Sequence, residues 1–286
     1  MRLVAFSDLH VGYSVNREAL KRLPQSPGDW LIIAGDVGET VKQLEWTLAI
    51  LKDRFERLIW VPGNHELYCL PGDPEQIRGV ARYERLVEVC QQRNVVTPED
   101  PYILWPGDGE PTRIVPLFLG YDYTFAPMGL TPEGARQWAE EEGIFPTDEH
   151  VLFCDPHSSM VGWCRDRIRY TLDRLEELPE NERRVLINHY PLRYDLIRLF
   201  RIPRYSPWCG TKVTEQWHRR YRASVVVSGH LHMRATDFRD GVRFEEVSIG
   251  YPEHWDQEKG LSHYLREILP GPTSIPTEDT GPMWHR

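Results

Sequence analysis

The sequence has no cysteine pair at CxxC spacing, and its five cysteines, Cys69, Cys90, Cys154, Cys164 and Cys209, are odd in number. That pattern excludes a complete disulfide framework, so reduced thiols in a cytoplasmic protein are expected. No run of about 18 apolar residues occurs, which leaves no candidate spanning helix and no membrane partner. A secretory leader is not expected either. Met1-Arg2 opens directly into Leu3–Phe6, which Ser7-Asp8 interrupt. The chain also lacks an excess of basic residues. Lys and Arg number 34 against 43 Asp and Glu, a net charge of −9, so no nucleic-acid binding surface is evident. Internal repeats and low-complexity blocks are absent.

What is present reads as an ordinary globular α/β protein. Short apolar runs bounded by turn residues predict strands at Leu3–Phe6, Leu31–Ala34, Leu58–Val61, Ile114–Leu119, Val185–Ile187, Val225–Val227 and Phe244–Ile249. Most are apolar throughout, as strands covered on both faces are. Apolar residues spaced by three and four predict helices through Val41, Leu44, Leu48, Leu51 and Phe55, through Val80, Tyr83, Leu86, Val87 and Cys90, and through Val161, Cys164, Ile168, Leu172, Leu175 and Leu178, the last stopped by Pro179. No linker divides residues 1–269, which form one expected domain. Residues 270–286, rich in Pro, Gly and Thr, read as an extended tail without a core of its own.

Five polar clusters lie at or just beyond strand ends: Ser7-Asp8-Leu9-His10, Gly35-Asp36-Val37-Gly38-Glu39, Pro62-Gly63-Asn64-His65-Glu66, Asn188-His189-Tyr190-Pro191 and Gly229-His230-Leu231-His232. In open α/β sheets, ligands bind beyond the carboxyl ends of the strands, so these clusters are expected to converge. Read as extended segments, Asp8 and His10 point to one side, as do His230 and His232. Glycines before Asp36, Asn64 and His230 permit close backbone approach. A lone histidine is ordinarily a satisfied core residue. Here five of 11 histidines fall in the clusters, while His150, His157, His218, His254, His263 and His285 fall outside them. Carboxylate, amide oxygen and imidazole without thiolate suit Mn²⁺ or Fe²⁺, with Zn²⁺ also possible.

In the order DLH, GD, GNHE, NHYP and GHLH, these motifs resemble those of the calcineurin-like metallophosphoesterases, over residues 4 to about 250. The resemblance implies a four-layer αββα sandwich, with two central mixed β-sheets flanked by helices. It implies two divalent transition-metal ions, one held by Asp8, His10, Asp36 and His232, the other by Asp36, Asn64, His189 and His230. His65 would then be the catalytic, non-ligand histidine that protonates the leaving group after in-line attack by a metal-activated water. Where the family often has Asp or Asn, this chain has Glu39. Its longer side chain can still orient His65, or it can simply be a carboxylate favourably placed at a helix N-terminus.

Stretches such as WVPGNHELY, VVTPE, VPLFLGYDYTF, SPWCGT and VRFEEVSIGYP resemble the actinobacterial 4′-phosphopantetheinyl hydrolases, which remove the phosphopantetheine arm from acyl carrier proteins. That resemblance implies a phosphodiester substrate on an acidic carrier protein. A small-molecule or nucleotide phosphoesterase is the alternative, and a non-catalytic metal-binding scaffold a remote one. From His189 to Arg222, eight cationic residues face two carboxylates, a net +6, which offers a landing surface for such a partner through Arg193, Arg198, Arg201 and Arg204. Tyr121, Tyr190, Arg193 and Trp208 are the candidate substrate contacts. A solvated helix face with aromatic anchors in the core is the plainer alternative for this segment.

Overall fold

The structure, a computed structural model, describes residues 1–276 and 278–285. β1 (Leu3–Phe6), β2 (Ser26–Ile33) and β3 (Phe55–Trp60) run parallel in one sheet, and β10 (Arg266–Leu269) pairs antiparallel on the other side of β1. The second sheet takes β4 (Ile103–Leu104), β5 (Thr112–Pro116), β6 (Arg183–Ile187), β7 (Ala223–Ser228), β8 (Ala235–Arg239), β9 (Val242–Glu246) and β11 (Thr280–Trp284). Its spatial order is β11-β8-β9-β7-β6-β5-β4, with β5, β6, β7 and β9 parallel and the other three antiparallel.

Alternation along each strand explains the layering. Leu3, Ala5, Ile32 and Ile59 of the first sheet meet Ile114, Val185, Ile187, Val225 and Val227 of the second in one apolar layer. The alternate residues, Val4, Phe6, Leu31, Ile33, Leu58 and Trp60, pack outward under α2 (Val41–Lys52) and α3 (Gly79–Gln91). On the far side, Val115, Leu186 and Val226 pack under α6 (Met160–Glu176) and α7 (Trp217–Arg220). The central stretches of β1, β2, β3, β5, β6 and β7 are therefore covered on both faces, which is why they read as continuous apolar runs. The architecture is the expected one of two mixed sheets between helices. Each fully buried Leu, Ile or Val contributes about 1.5–3 kcal/mol.

The start of α2 matters for the site. Thr40 Oγ1 accepts from Gln43 N at 3.2 Å, and Gln43 Oε1 accepts from Thr40 N at 3.1 Å. This capping box fixes Glu39 immediately before the helix. Three expectations need correction. Phe55 opens β3 rather than ending α2, which stops at Lys52, although its side chain stays in the same core. The strands expected to reach Leu119 and Ile249 end at Pro116 and Glu246. The segment expected as a tail supplies β11, paired with β8. Within it, Thr277 and Arg286 lie outside the described residues.

Candidate metal centre

The five motifs meet where strands of both sheets end. β1 leads to Asp8 and His10, β2 to Asp36, β3 to Asn64 and His65, β6 to His189, and β7 to His230 and His232. Backbone hydrogen bonds knit the loops together. Asp8 N donates to Gly35 O at 2.9 Å, His10 N to Asp36 O at 3.1 Å, and Gly229 N to His189 O at 2.9 Å. Two glycines permit this closeness. A Cβ on Gly63 would lie 2.0 Å from Asp36 Oδ1, and one on Gly229 would lie 2.2 Å from Ser7 Oγ.

The Asp8-Leu9-His10 and His230-Leu231-His232 runs are not extended, which corrects the reason given for their shared direction. Asp8, His10, Asp36, His230 and His232 all have positive φ, at 55°, 41°, 53°, 72° and 52°. Left-handed backbone at non-glycine residues is uncommon and clusters at functional sites.

Donor atoms of Asp8, His10 and His232 form one group lying within 4.8 Å of one another, and those of Asp36, His189 and His230 form another. In the first, His232 Nε2 is 3.0 Å from Asp8 Oδ1 and 3.2 Å from His10 Nε2. In the second, His189 Nδ1 donates to Ala34 O at 2.8 Å, which turns Nε2 toward Asn64 Oδ1 at 3.2 Å and Asp36 Oδ2 at 3.4 Å. His230 Nε2 is buried and has no hydrogen-bond partner among the described residues. A buried polar atom left unpaired costs about 1–3 kcal/mol, so a bound electrophile fits this position. Donor atoms of His65, His10 and Asp36 form a third such group. His65 donates its backbone N–H to Asp36 Oδ1 at 3.0 Å, its Nε2 is 3.9 Å from Asp36 Oδ2, and its Nδ1 is 3.2 Å from Glu39 Oε1. Glu39 thus makes the contact that its length permitted.

The electrostatics follow from burial opposed by neighbours. Burial works against a charge on His189, but Asp36 and then Asp8 and the Ala34 carbonyl outweigh it and raise the ring to about 10. Burial is likewise overcome at His65, raised to about 9 by Asp36 and Glu39. His10 and His230 are pushed down to about 3, chiefly by burial. Asp36 stays well below the usual carboxylate range because His189 and His65 override its burial.

Several residues at the site went unassigned in the sequence reading. Glu66 is 1% exposed and accepts from the backbone N–H groups of Asp36, Val37 and Gly63 at 2.9, 2.9 and 3.0 Å, tying two motif loops to one carboxylate. Its place in the GNHE run was the available signal. Ser7 and Ser248 donate to Asp8 Oδ2, and His254 Nδ1 lies 3.0 Å from His232 Nδ1. His254 therefore belongs to the surroundings of the site, contrary to its placement outside the motifs.

The candidate substrate contacts fare unevenly. Tyr190 packs its ring against His230, with centroids 4.7 Å apart. Tyr121 and Trp208 are buried, and Trp208 Nε1 donates to Glu149 Oε1 at 2.7 Å. Arg193 pairs with Asp195 at 2.8 Å and reaches toward Asp240, in the β8–β9 turn. That turn lies at the opposite end of β9 from Glu246, which pairs with Ser228 beside the site. Arg193 is thus directed away from the cluster. Arg198 forms a double ion pair with Asp237, and Arg204 pairs with Glu141 and Glu142. Arg198 and Arg204 of the +6 segment are thus paired with carboxylates from elsewhere in the chain.

The sequence matches the calcineurin-like phosphoesterase family over residues 1–234. It is 46% identical over 277 residues to the acyl-carrier-protein phosphodiesterase PptH of Mycobacterium tuberculosis, covering 96% of this chain and 85% of that protein. The crystal structure of phosphopantetheinyl hydrolase (PptH) from the same organism matches with a TM-score of 0.91 and 45% identity, covering 96% of this chain and 98% of that one. With the motifs in order and the strand-end groups assembled, the chain belongs to the calcineurin-like phosphoesterases, a family of metal-dependent hydrolases.

Proposed function

We propose that the protein removes 4′-phosphopantetheine from a holo acyl or peptidyl carrier protein, hydrolysing the phosphodiester to the carrier's serine. The observation that carries the reading is the likeness, over nearly the whole chain, to a carrier-protein phosphodiesterase. Asp8, His10, Asp36 and His232 would hold one divalent cation, and Asp36, Asn64, His189 and His230 the other. The unpaired His230 Nε2 and the thiolate-free donor set support this, with manganese and iron favoured and zinc admissible. When bound, the cations supply an activated water near neutral pH and neutralise charge on the phosphoryl oxygens.

The remaining work falls to protein groups. Serine alkoxide is a poor leaving group and needs a proton as the P–O bond breaks. His65 supplies it. Glu39 holds Nδ1, which leaves Nε2 as the donor. Tyr68 and His10 pack on the imidazole, with centroids 4.6 and 4.7 Å away, and restrict its rotation. The products are the carrier's free serine hydroxyl and phosphopantetheine. Among the described residues no helix is long and apolar enough to cross a membrane. The five free cysteines support a cytoplasmic setting.

Mass spectrometry of holo carrier protein incubated with the metal-loaded enzyme tests the proposal. The carrier should lose the mass of its arm, and chelation should prevent the loss. An intact carrier alongside rapid turnover of a small phosphodiester would refute the substrate while leaving the hydrolase class standing.

A further inference from the structure

Asp148 belongs to no motif, yet it reaches the site from outside the strand-end loops. It opens α5 (Asp148–Val151), a single turn docked on the chain that leaves the Asn64 loop. Cys69 N donates to Val151 O at 2.8 Å, and Tyr68 bridges to Leu152. The next residue, Glu149, accepts from Tyr123 OH at 2.6 Å and Trp208 Nε1 at 2.7 Å, which anchors the turn in an aromatic cluster. Asp148 is 1% exposed. Its Oδ1 accepts from Asn64 Nδ2 at 2.9 Å and from Tyr68 OH at 2.6 Å, while its Oδ2 has no partner among the described residues.

A side-chain amide has two N–H donors on nitrogen and an acceptor on oxygen. Both donors of Asn64 are spent away from the cluster, one on Asp148 Oδ1 and the other on Tyr68 OH at 2.9 Å. Its Oδ1 is thereby turned to face His189 Nε2. Rotating the amide by half a turn would set its oxygen against the Asp148 carboxylate, acceptor against acceptor. It would also turn the NH₂ group, which cannot ligate a cation, into the site. Burying a carboxylate with one oxygen unpaired is costly, and a purely structural contact does not require it.

We propose that Asp148 is a positioning residue that fixes the Asn64 amide with its oxygen presented to the second cation. The inference rests on the two-cation reading above. Removing an outer partner of a metal ligand typically weakens metal binding about 10–100-fold.

The test strips the full chain with a chelator and titrates it with Mn²⁺, following binding by calorimetry and the spin coupling of the two ions by electron paramagnetic resonance. Asp148→Ala should weaken one of the two sites by about 10–100-fold, leave the other near wild type and replace the coupled signal with that of an isolated ion. Asp148→Asn can place an amide oxygen where Oδ1 lies and should restore both sites to within a few-fold. Should Asp148→Ala fail to fold, Tyr68→Phe, which removes one of the two acceptors, should show a smaller loss confined to the same site. Wild-type affinities in Asp148→Ala, equal damage in Asp148→Asn, or unchanged binding in Tyr68→Phe would each overturn the role of Asp148. A wild-type chain that takes up fewer than two ions would overturn the two-cation reading itself before any variant is compared.

Discussion

Gly63→Ala is a change of one methyl group that should disable the site without replacing a proposed ligand or the proton donor. The added Cβ would sit 2.0 Å from Asp36 Oδ1 and 2.6 Å from Asp36 N, whereas ordinary contact begins near 3.4 Å. The carboxylate oxygen must therefore retreat by more than 1 Å or the loop must open. Retreat is resisted, because Oδ1 accepts from His65 N and the Asp36 backbone N–H is held by buried Glu66. Overpacking of this kind costs about 1–3 kcal/mol, which for a chain of this size lowers Tm by roughly 2–10 °C. The functional loss should be larger in proportion, since a misplacement of about 1 Å at a reacting centre can reduce rate about 10²-fold. The assay compares kcat on a small phosphodiester, metal content per chain and Tm. Gly120→Ala serves as the control, because nothing lies within 4 Å of the added methyl. Wild-type kcat and metal content in Gly63→Ala would refute the crowded geometry around Asp36.

Three further outcomes are expected. His65→Ala should retain its metals and lose on the order of 10²–10⁴ in rate on an alkyl phosphodiester, with a smaller loss when the leaving group is a nitrophenolate. Equal losses on both would contradict proton donation. Metal uptake near neutral pH should release protons, because His189, raised to about 10, must give up its Nε2 proton to become a ligand, so affinity should fall as pH falls. Calorimetric heats that do not depend on the ionisation enthalpy of the buffer would argue against this. Arg198→Ala should lower Tm by a few degrees and leave KM for the carrier protein unchanged, since it strips a double ion pair from Asp237, whose other cationic contact is Arg239 at 3.5 Å. A salt-sensitive rise in KM at constant Tm would restore Arg198 to the docking surface.

How far the fold and the site were legible depended on the scale of the signal. β1 and the C-terminal halves of β2 and β3 are apolar on both faces and lead into polar ligand-type residues, so their positions and the convergence of Asp8, Asp36 and Asn64 could be read directly. β10 and β11 could not. Arg266, Glu267, Thr280 and Gly281 carry no strand pattern, and their pairing is decided by the open edges of β1 and β8. The shared direction of Asp8 and His10 was anticipated, but the reasoning assumed an extended backbone where φ is positive. Charge counting alone could not show the pairing within the segment from Arg193 to Arg204. Asp237, Glu141 and Glu142 are distant in sequence, and only the fold shows that they pair with Arg198 and Arg204. Asp148 and His254 escaped notice for the same reason, since each acts on a candidate ligand contributed by a remote loop.

Two cations sharing Asp36 are the centre of the proposed chemistry. Anomalous diffraction from crystals of the metal-loaded chain, measured at the manganese and iron absorption edges, tests it. Two peaks roughly 3.5–4 Å apart are expected, one beside Asp8, His10 and His232, the other beside Asn64, His189 and His230, with Asp36 touching both. A single peak, or two that do not share Asp36, would contradict the account.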